Sequence, residues 1–322
     1  MGAFLARLGE QLAERWLTLL VLPGILYLAM VRAAFTLGQT HPLDLSHLAH
    51  QVTVWAAEPA VRTAGGQVVL LAAILAAAAV VGVAARSLGA AIEHTVLAAD
   101  WNAWPAPFRR LAAARVTARR SHWDAARLVV HQRREEAGRA RALRRRHDPT
   151  ALHEARRALD RVSPERPERP TWTGDRVNAV TVRLRRDHHL ETSVVWPHLW
   201  LTLSETDRSE TSSARQELSA AYVLAAWAVL YAPLTAAWWP AAVISLLLAT
   251  TARHRSRVAA EAYAQLVEAA VRLHTGDLAR ALGIEHSGTL SADIGDALGD
   301  LLESRLPEIE VVAPDPTTPP SG

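Results

Sequence analysis

SAAYVLAAWAVLYAPLTAAWWPAAVISLLLATTA, residues 219–252, contains no charged side chain and is interrupted by proline at Pro233 and Pro240. At about 1.5 Å of rise per residue it is too long for one bilayer crossing and suits two short ones. The prolines and the Trp238-Trp239 pair mark the turn, where indoles suit the membrane–water boundary. The expected fold follows from this hairpin: an all-α integral membrane protein with about four transmembrane helices and a helical cytoplasmic domain. Residues 219–235 and 238–252 are its third and fourth spans.

The first two spans lie upstream. Residues 17–37 form one, with a kink at Pro23-Gly24 and Arg32 near the far end, where arginine snorkels to the interface. Residues 68–85 form the other, and half of them are Ala or Gly. Small residues four apart, such as Ala78 and Gly82, allow close helix approach, so this span is expected inside a bundle or a homo-oligomer. Ahead of both, residues 1–16 place Phe4, Leu5, Leu8, Leu12 and Trp16 opposite Arg7, Glu10, Glu14 and Arg15. That pattern is an amphipathic helix lying on the membrane, with Trp16 at the interface. Its two glutamates argue against a secretory signal.

Charge gives the expected orientation. All 35 Lys+Arg residues are arginine, and 25 of them fall in 86–218. The 38–67 loop holds one arginine and the hairpin turn none. By the positive-inside rule, 38–67 is extracytoplasmic, and 86–218, 253–306 and both termini face the cytoplasm of the inner membrane. The absence of lysine removes phosphate-loop and Schiff-base chemistry, and the absence of cysteine removes thiolate nucleophiles, thiolate zinc sites and disulfides.

Within the large polar segment, 107–146 reads as a helix with 13 arginines against Asp124, Glu135 and Glu136. Its end, Arg139, Arg141, Arg144, Arg145 and Arg146, is the expected contact for anionic membrane lipid or for the acidic C-terminal part of the chain. Nucleic acid is disfavoured, because no recognised binding motif surrounds the arginines. A second helix follows Asp148-Pro149 and ends near Val162. SPERPERP (163–170) reads as a stiff extended linker, and Thr173-Gly174-Asp175 opens a helix with Val177, Val180 and Leu184 on one stripe. SVVWPHLWLTL (193–203) is too short to cross; it is either domain core, the favoured reading, or an interfacial segment. Beyond the hairpin, Val258, Ala262, Leu266, Ala269 and Leu273 trace an apolar stripe on a helix stopping at Gly283. A last helix covers 292–306, and 307–322 has the composition of a disordered tail.

Two clusters invite a chemical reading. His41, Asp44, His47 and His50 are weak metal candidates, since steps of three residues drift around a helix and a solvated loop is the simpler account. His188 and His189, beside Asp187 and Glu191 and with His198 further on, could suggest acid–base chemistry. No nucleophile elbow, zinc-protease motif or phosphate loop accompanies them, so neither catalysis nor a cofactor is expected. The spans carry no carboxylate and no repeat, which disfavours proton-coupled transport.

TWTGDRV (171–177), WPHLW (196–200) and the WWP hairpin resemble a group of actinobacterial multi-pass membrane proteins of no established activity. The resemblance covers roughly the second half of the chain and implies a membrane location. The expected function is a non-enzymatic, membrane-anchored interaction or signalling component with a cytoplasmic protein partner. The alternative is a small homo-oligomeric channel or membrane-perturbing effector gated by the cytoplasmic domain.

Overall fold

A computed structural model describes residues 21–56, 63–145, 149–285 and 290–302. The amphipathic 1–16 segment, Trp16, Arg146, Asp148 and the 307–322 tail lie outside the described residues. Among the described residues ten α-helices follow one another: α1 (Leu22–Leu37), α2 (Leu45–Ala56), α3 (Ala64–Leu97), α4 (Ala106–Ala142), α5 (Thr150–Val162), α6 (Trp172–His188), α7 (Thr192–Thr202), α8 (Glu205–Tyr231), α9 (Pro240–Ala281) and α10 (Ala292–Leu302). No strand occurs among the described residues, so the chain is all-α as expected. It divides into two compact units, residues 1–178 with 210–265, and residues 179–209 with 266–322.

Among the described residues two helices are long and apolar enough to cross a membrane, Ala64–Leu97 and the run Glu205–Ala236. The described part of the first expected span is a helix of 16 residues. The apolar part of α9 ends at Ala252, where arginines begin. The expected boundaries at 85/86 and 252/253 are not structural ones. Thr63 caps α3 by accepting a hydrogen bond from the Gly66 amide at 3.1 Å. With no proline and much alanine to follow, the helix runs 34 residues, about 51 Å, through Arg86 and Glu93. α9 likewise passes from the uncharged to the charged part of the sequence over 42 residues. It stops at Gly283, whose φ of 79° lets the Ile284 amide donate to the Ala279 carbonyl at 2.9 Å. The hairpin breaks at Pro233, as its sequence requires, in a 3-10 turn over Ala232–Ala236.

In the first unit, backbones meet where side chains are absent. A Cβ on Gly24 would lie 2.2 Å from the Ala78 carbonyl oxygen, so α1 crosses α3 there. A Cβ on Gly89 would lie 2.9 Å from the Val223 Cα, which marks the crossing of α3 and α8. Ala78, Gly82 and Ala85 are buried, which agrees with the expected close packing along that stripe. Away from that edge the first half of α3 is bare: Val68, Val69, Leu71 and Val80 are well exposed. The span is therefore packed on one narrow edge rather than enclosed.

At the hairpin, the two neighbouring indoles part. Trp238 is buried with Ala34, Leu37, Tyr231, Leu234 and Ala241, and its Nε1 donates to the Pro42 carbonyl at 2.8 Å. Trp239 stays about half exposed. Gln39 Nε2 donates to the Thr235 and Ala236 carbonyls at 2.9 and 3.0 Å, and the Tyr27 hydroxyl to the Leu230 carbonyl at 3.2 Å. Tyr27 also meets the Tyr231 ring edge-on, centroids 5.2 Å apart. The turn is thus latched onto α1 and the loop after it.

In the second unit, α7 buries Val195, Leu199 and Leu203 and packs against α10, which buries Ile294 and Leu298. Trp196 and Trp200 contact each other, centroids 5.7 Å apart, from partly exposed positions. Within this segment Val195, Leu199 and Leu203 are core, the indoles are its rim, and Leu201 is exposed. The stripe expected on α9 is misplaced: Val258 and Leu273 are exposed, while Ala260, Ala264, Val267, Val271 and Leu278 are buried. The helix carries two overlapping apolar stripes. Ion pairs from α6, Arg176 to Glu261 and Arg183 to Glu268, both at 2.6 Å, fall beside the buried one.

Candidate functional site

The segment 163–177 is densely hydrogen-bonded. Thr171 caps α6, its hydroxyl accepting from the Gly174 amide at 3.0 Å and donating to the Val96 carbonyl at 2.7 Å. Asp175 accepts the Glu168 and Arg169 amides at 2.9 and 2.8 Å and pairs with Arg119 at 2.7 Å. Burial raises the Asp175 carboxyl above its ordinary range despite those partners, which oppose the shift. Burial likewise lowers Arg169, whose guanidinium reaches the Leu97 carbonyl and Asn178. Arg176 grips Glu261 through two hydrogen bonds at 2.6 and 2.8 Å. The expected stiff linker is extended but is no free spacer. Ser163 and Pro167 are fully buried, and Trp123, Arg120 and Trp101 each donate to one of its carbonyls.

Beside this junction opens a groove of about 910 Å³. Its apolar wall is mostly alanine, with Ile92, Val96 and Val229 beside it. Ala221, Ala225 and Ala228 on α8 and Ala232 at the start of the following turn recur at steps of four, three and four, and Ser245, Ala249, Ala252 and Ser256 repeat the same steps on α9. Such spacing puts each set on one helix face, and short side chains leave the space between the faces unfilled. At the other end the lining is cationic, with Arg115, Arg119, Arg161, Arg253, Arg257 and His122. No carboxylate lines the groove among the described residues. Arg257 stacks on Trp172, its guanidinium carbon 4.2 Å from the ring centroid. Burial lowers the Arg257 pKa, and the neighbouring charges of Arg253 and Arg119 push it the same way. The Nε of Arg119 is buried without a partner. Among the described residues, five arginines and no carboxylate line this groove.

The chain matches no family model, no curated protein and no solved structure.

The residues singled out from sequence lie elsewhere. Arg139, Arg141, Arg144 and Arg145 are solvent-exposed at the far end of α4, with Arg139 paired to Glu135 one turn away. Arg139 is about 36 Å along the helix from Arg115. Asp44 accepts from the Ser46 hydroxyl at 2.5 Å and the His47 amide at 3.0 Å, an N-cap arrangement for α2 that also holds its carboxyl below the ordinary range. His41 contacts Thr40, and no group of three or more His, Asp or Glu side chains among the described residues is placed to hold a metal. The His188-His189 pair forms the C-terminal turn of α6. His189 has φ 54°, and the Leu190 amide donates to the Leu184 carbonyl at 3.3 Å. His189 faces Asp296 at 3.1 Å, Asp187 and Glu191 pair with Arg186 and Arg185, and exposed His198 contacts the Val194 carbonyl. The groove itself was missed. Its signal was the four-three-four recurrence of small residues on both arms of the hairpin, which a sequence rich in alanine conceals.

Proposed function

We propose that the chain is a multi-pass protein of the cytoplasmic membrane that anchors a helical cytoplasmic domain for interaction with a protein partner. The observation that carries this is inverted exposure. Val68, Val69, Leu71 and Val80 on α3, with Val243, Leu246 and Leu247 on α9, face outward, whereas Asp175 and Arg176 are buried. Contiguous apolar surface on that scale belongs against lipid or another protein. The four-span arrangement adds α1 and the first turns of α9 to the two longer apolar helices. The arginine bias keeps both termini and the large polar segment on the cytoplasmic side.

The natural absence of cysteine makes the test direct, because single cysteines can be introduced without background. With impermeant thiol reagents on intact cells, Gln39→Cys is labelled and Arg255→Cys is labelled only after lysis. Labelling of both from outside overturns the orientation. Purification of the full chain in mild detergent then yields a stoichiometric soluble partner. A homo-oligomer with no such partner would instead support the channel alternative.

A further inference from the structure

We infer that the groove between α8 and α9 holds one anionic phospholipid, its phosphate against Arg115, Arg253 and Arg257 and an acyl chain along the alanine wall. The inference rests on the membrane reading above. The dimensions fit. From Ser245 to Arg257 the groove follows α9 for about 18 Å, close to the roughly 15 Å half-thickness of a bilayer's hydrocarbon core. On the two arms of the hairpin its apolar lining lies in the uncharged 219–252 stretch, with Ile92 and Val96 of α3 added to it, and on α9 its cations begin at Arg253, directly after that stretch ends. An amphiphile with charge at one end and hydrocarbon along the other matches that division, and a soluble anion would use only the cationic end.

Arg119 is paired with Asp175, but among the described residues Arg115, Arg161 and Arg253 make no ion pair, and Arg257 contacts the Trp172 ring. A phosphate accepts several guanidinium hydrogen bonds at once, which a zwitterionic headgroup's compensating ammonium would oppose. The Thr171, Thr173 and Ser256 side chains at the same end supply a polar rim between charge and hydrocarbon. This places the lipid contact on the arginines nearest the hairpin, not on the Arg139–Arg145 end of α4.

The test is a thermal-shift and native mass-spectrometry measurement on the full chain in mild detergent. Phosphatidylglycerol, phosphatidylcholine and inorganic phosphate are added separately. Phosphatidylglycerol is expected to raise the melting temperature and to appear as a retained one-to-one adduct, with phosphatidylcholine and inorganic phosphate giving neither. The double variant Arg253→Gln/Arg257→Gln is expected to bind phosphatidylglycerol roughly tenfold or more weakly, given the contribution of each cation near an anionic headgroup. Ala225→Phe, which fills the apolar wall, is expected to lose the adduct while leaving elution and helix content unchanged. Equal binding of phosphatidylcholine, or equal stabilisation by inorganic phosphate, overturns the inference. Membrane residence with no lipid preference defeats this site alone. Recovery of the chain in the soluble fraction without detergent defeats the membrane reading first.

Discussion

A Cβ on Gly174 would come within 2.8 Å of the Val96 carbonyl oxygen and 2.9 Å of the Thr171 hydroxyl, while one on Gly138 would meet nothing within 4 Å. The same substitution therefore has opposite signs at the two sites. Gly174→Ala is expected to cost about 1–3 kcal/mol through forced displacement of backbone. Gly138→Ala, near the C-terminal end of α4, is expected to add up to about 1 kcal/mol of helix propensity. Thermal unfolding of both variants in detergent checks the pair. Asp175 gives a pH-dependent counterpart. Its native carboxyl titrates above the unfolded value, so the native state holds the proton to higher pH. The resulting stability is fully present below the ordinary carboxylate value of about 3.9 and declines as pH rises towards the native value. The difference in melting temperature between wild type and Asp175→Asn should fall across that interval. A flat difference would show that burial does not govern this group. The threonine, glycine and aspartate of the TGD run were legible as a helix start. The partners of Asp175 and of the capping Thr171, namely Arg119 and Val96, lie 56 and 75 residues away and left no local trace.

Helix ends followed their chemistry closely where a stop or cap was encoded, as at Pro233 and Gly283. They departed from expectation where charge alone was taken as a boundary. Arg86 and Arg253 do not end α3 or α9, because a charged side chain disturbs no backbone hydrogen bond. The face chosen for α9 failed for a related reason. Alanine makes several faces of a helix equally apolar, and the ion pairs to α6 are invisible in sequence. The groove has the same origin, since alanine supplies a wall without announcing what lies against it. The latch on the hairpin is testable at this scale. Trp238→Phe keeps the ring in the Ala34, Leu37 and Tyr231 cluster but leaves the Pro42 carbonyl without its donor, a loss of about 1–3 kcal/mol. Hydrogen exchange should quicken in residues 38–44, and unchanged protection there would remove the latch from the account.

For the whole molecule, the distribution of exposed apolar residues separates two kinds of surface. Leu71 on α3 and Leu128 on α4 are both largely exposed, at 59% and 64%. In the proposed arrangement the first faces hydrocarbon and the second water. An arginine at position 71 costs about 2.5–3.5 kcal/mol of insertion free energy at mid-membrane. Leu71→Arg should therefore deplete the chain from alkali-washed membranes, and Leu128→Arg should leave its recovery unchanged. Equal behaviour of the two would place both helices in the same medium.

The bond from Trp238 to Pro42 joins residues 196 apart in sequence. At a synthesis rate of about 5–20 residues per second, α1 leaves the ribosome roughly 10–40 s before the tryptophan that fastens it exists. During that interval α3 can pack on α1 at Gly24, but the edge destined for Trp227 and Tyr231 stays bare. Biogenesis thus has a built-in waiting period, in which the half-made protein depends on lipid or an insertion chaperone to occupy the place its own hairpin will take.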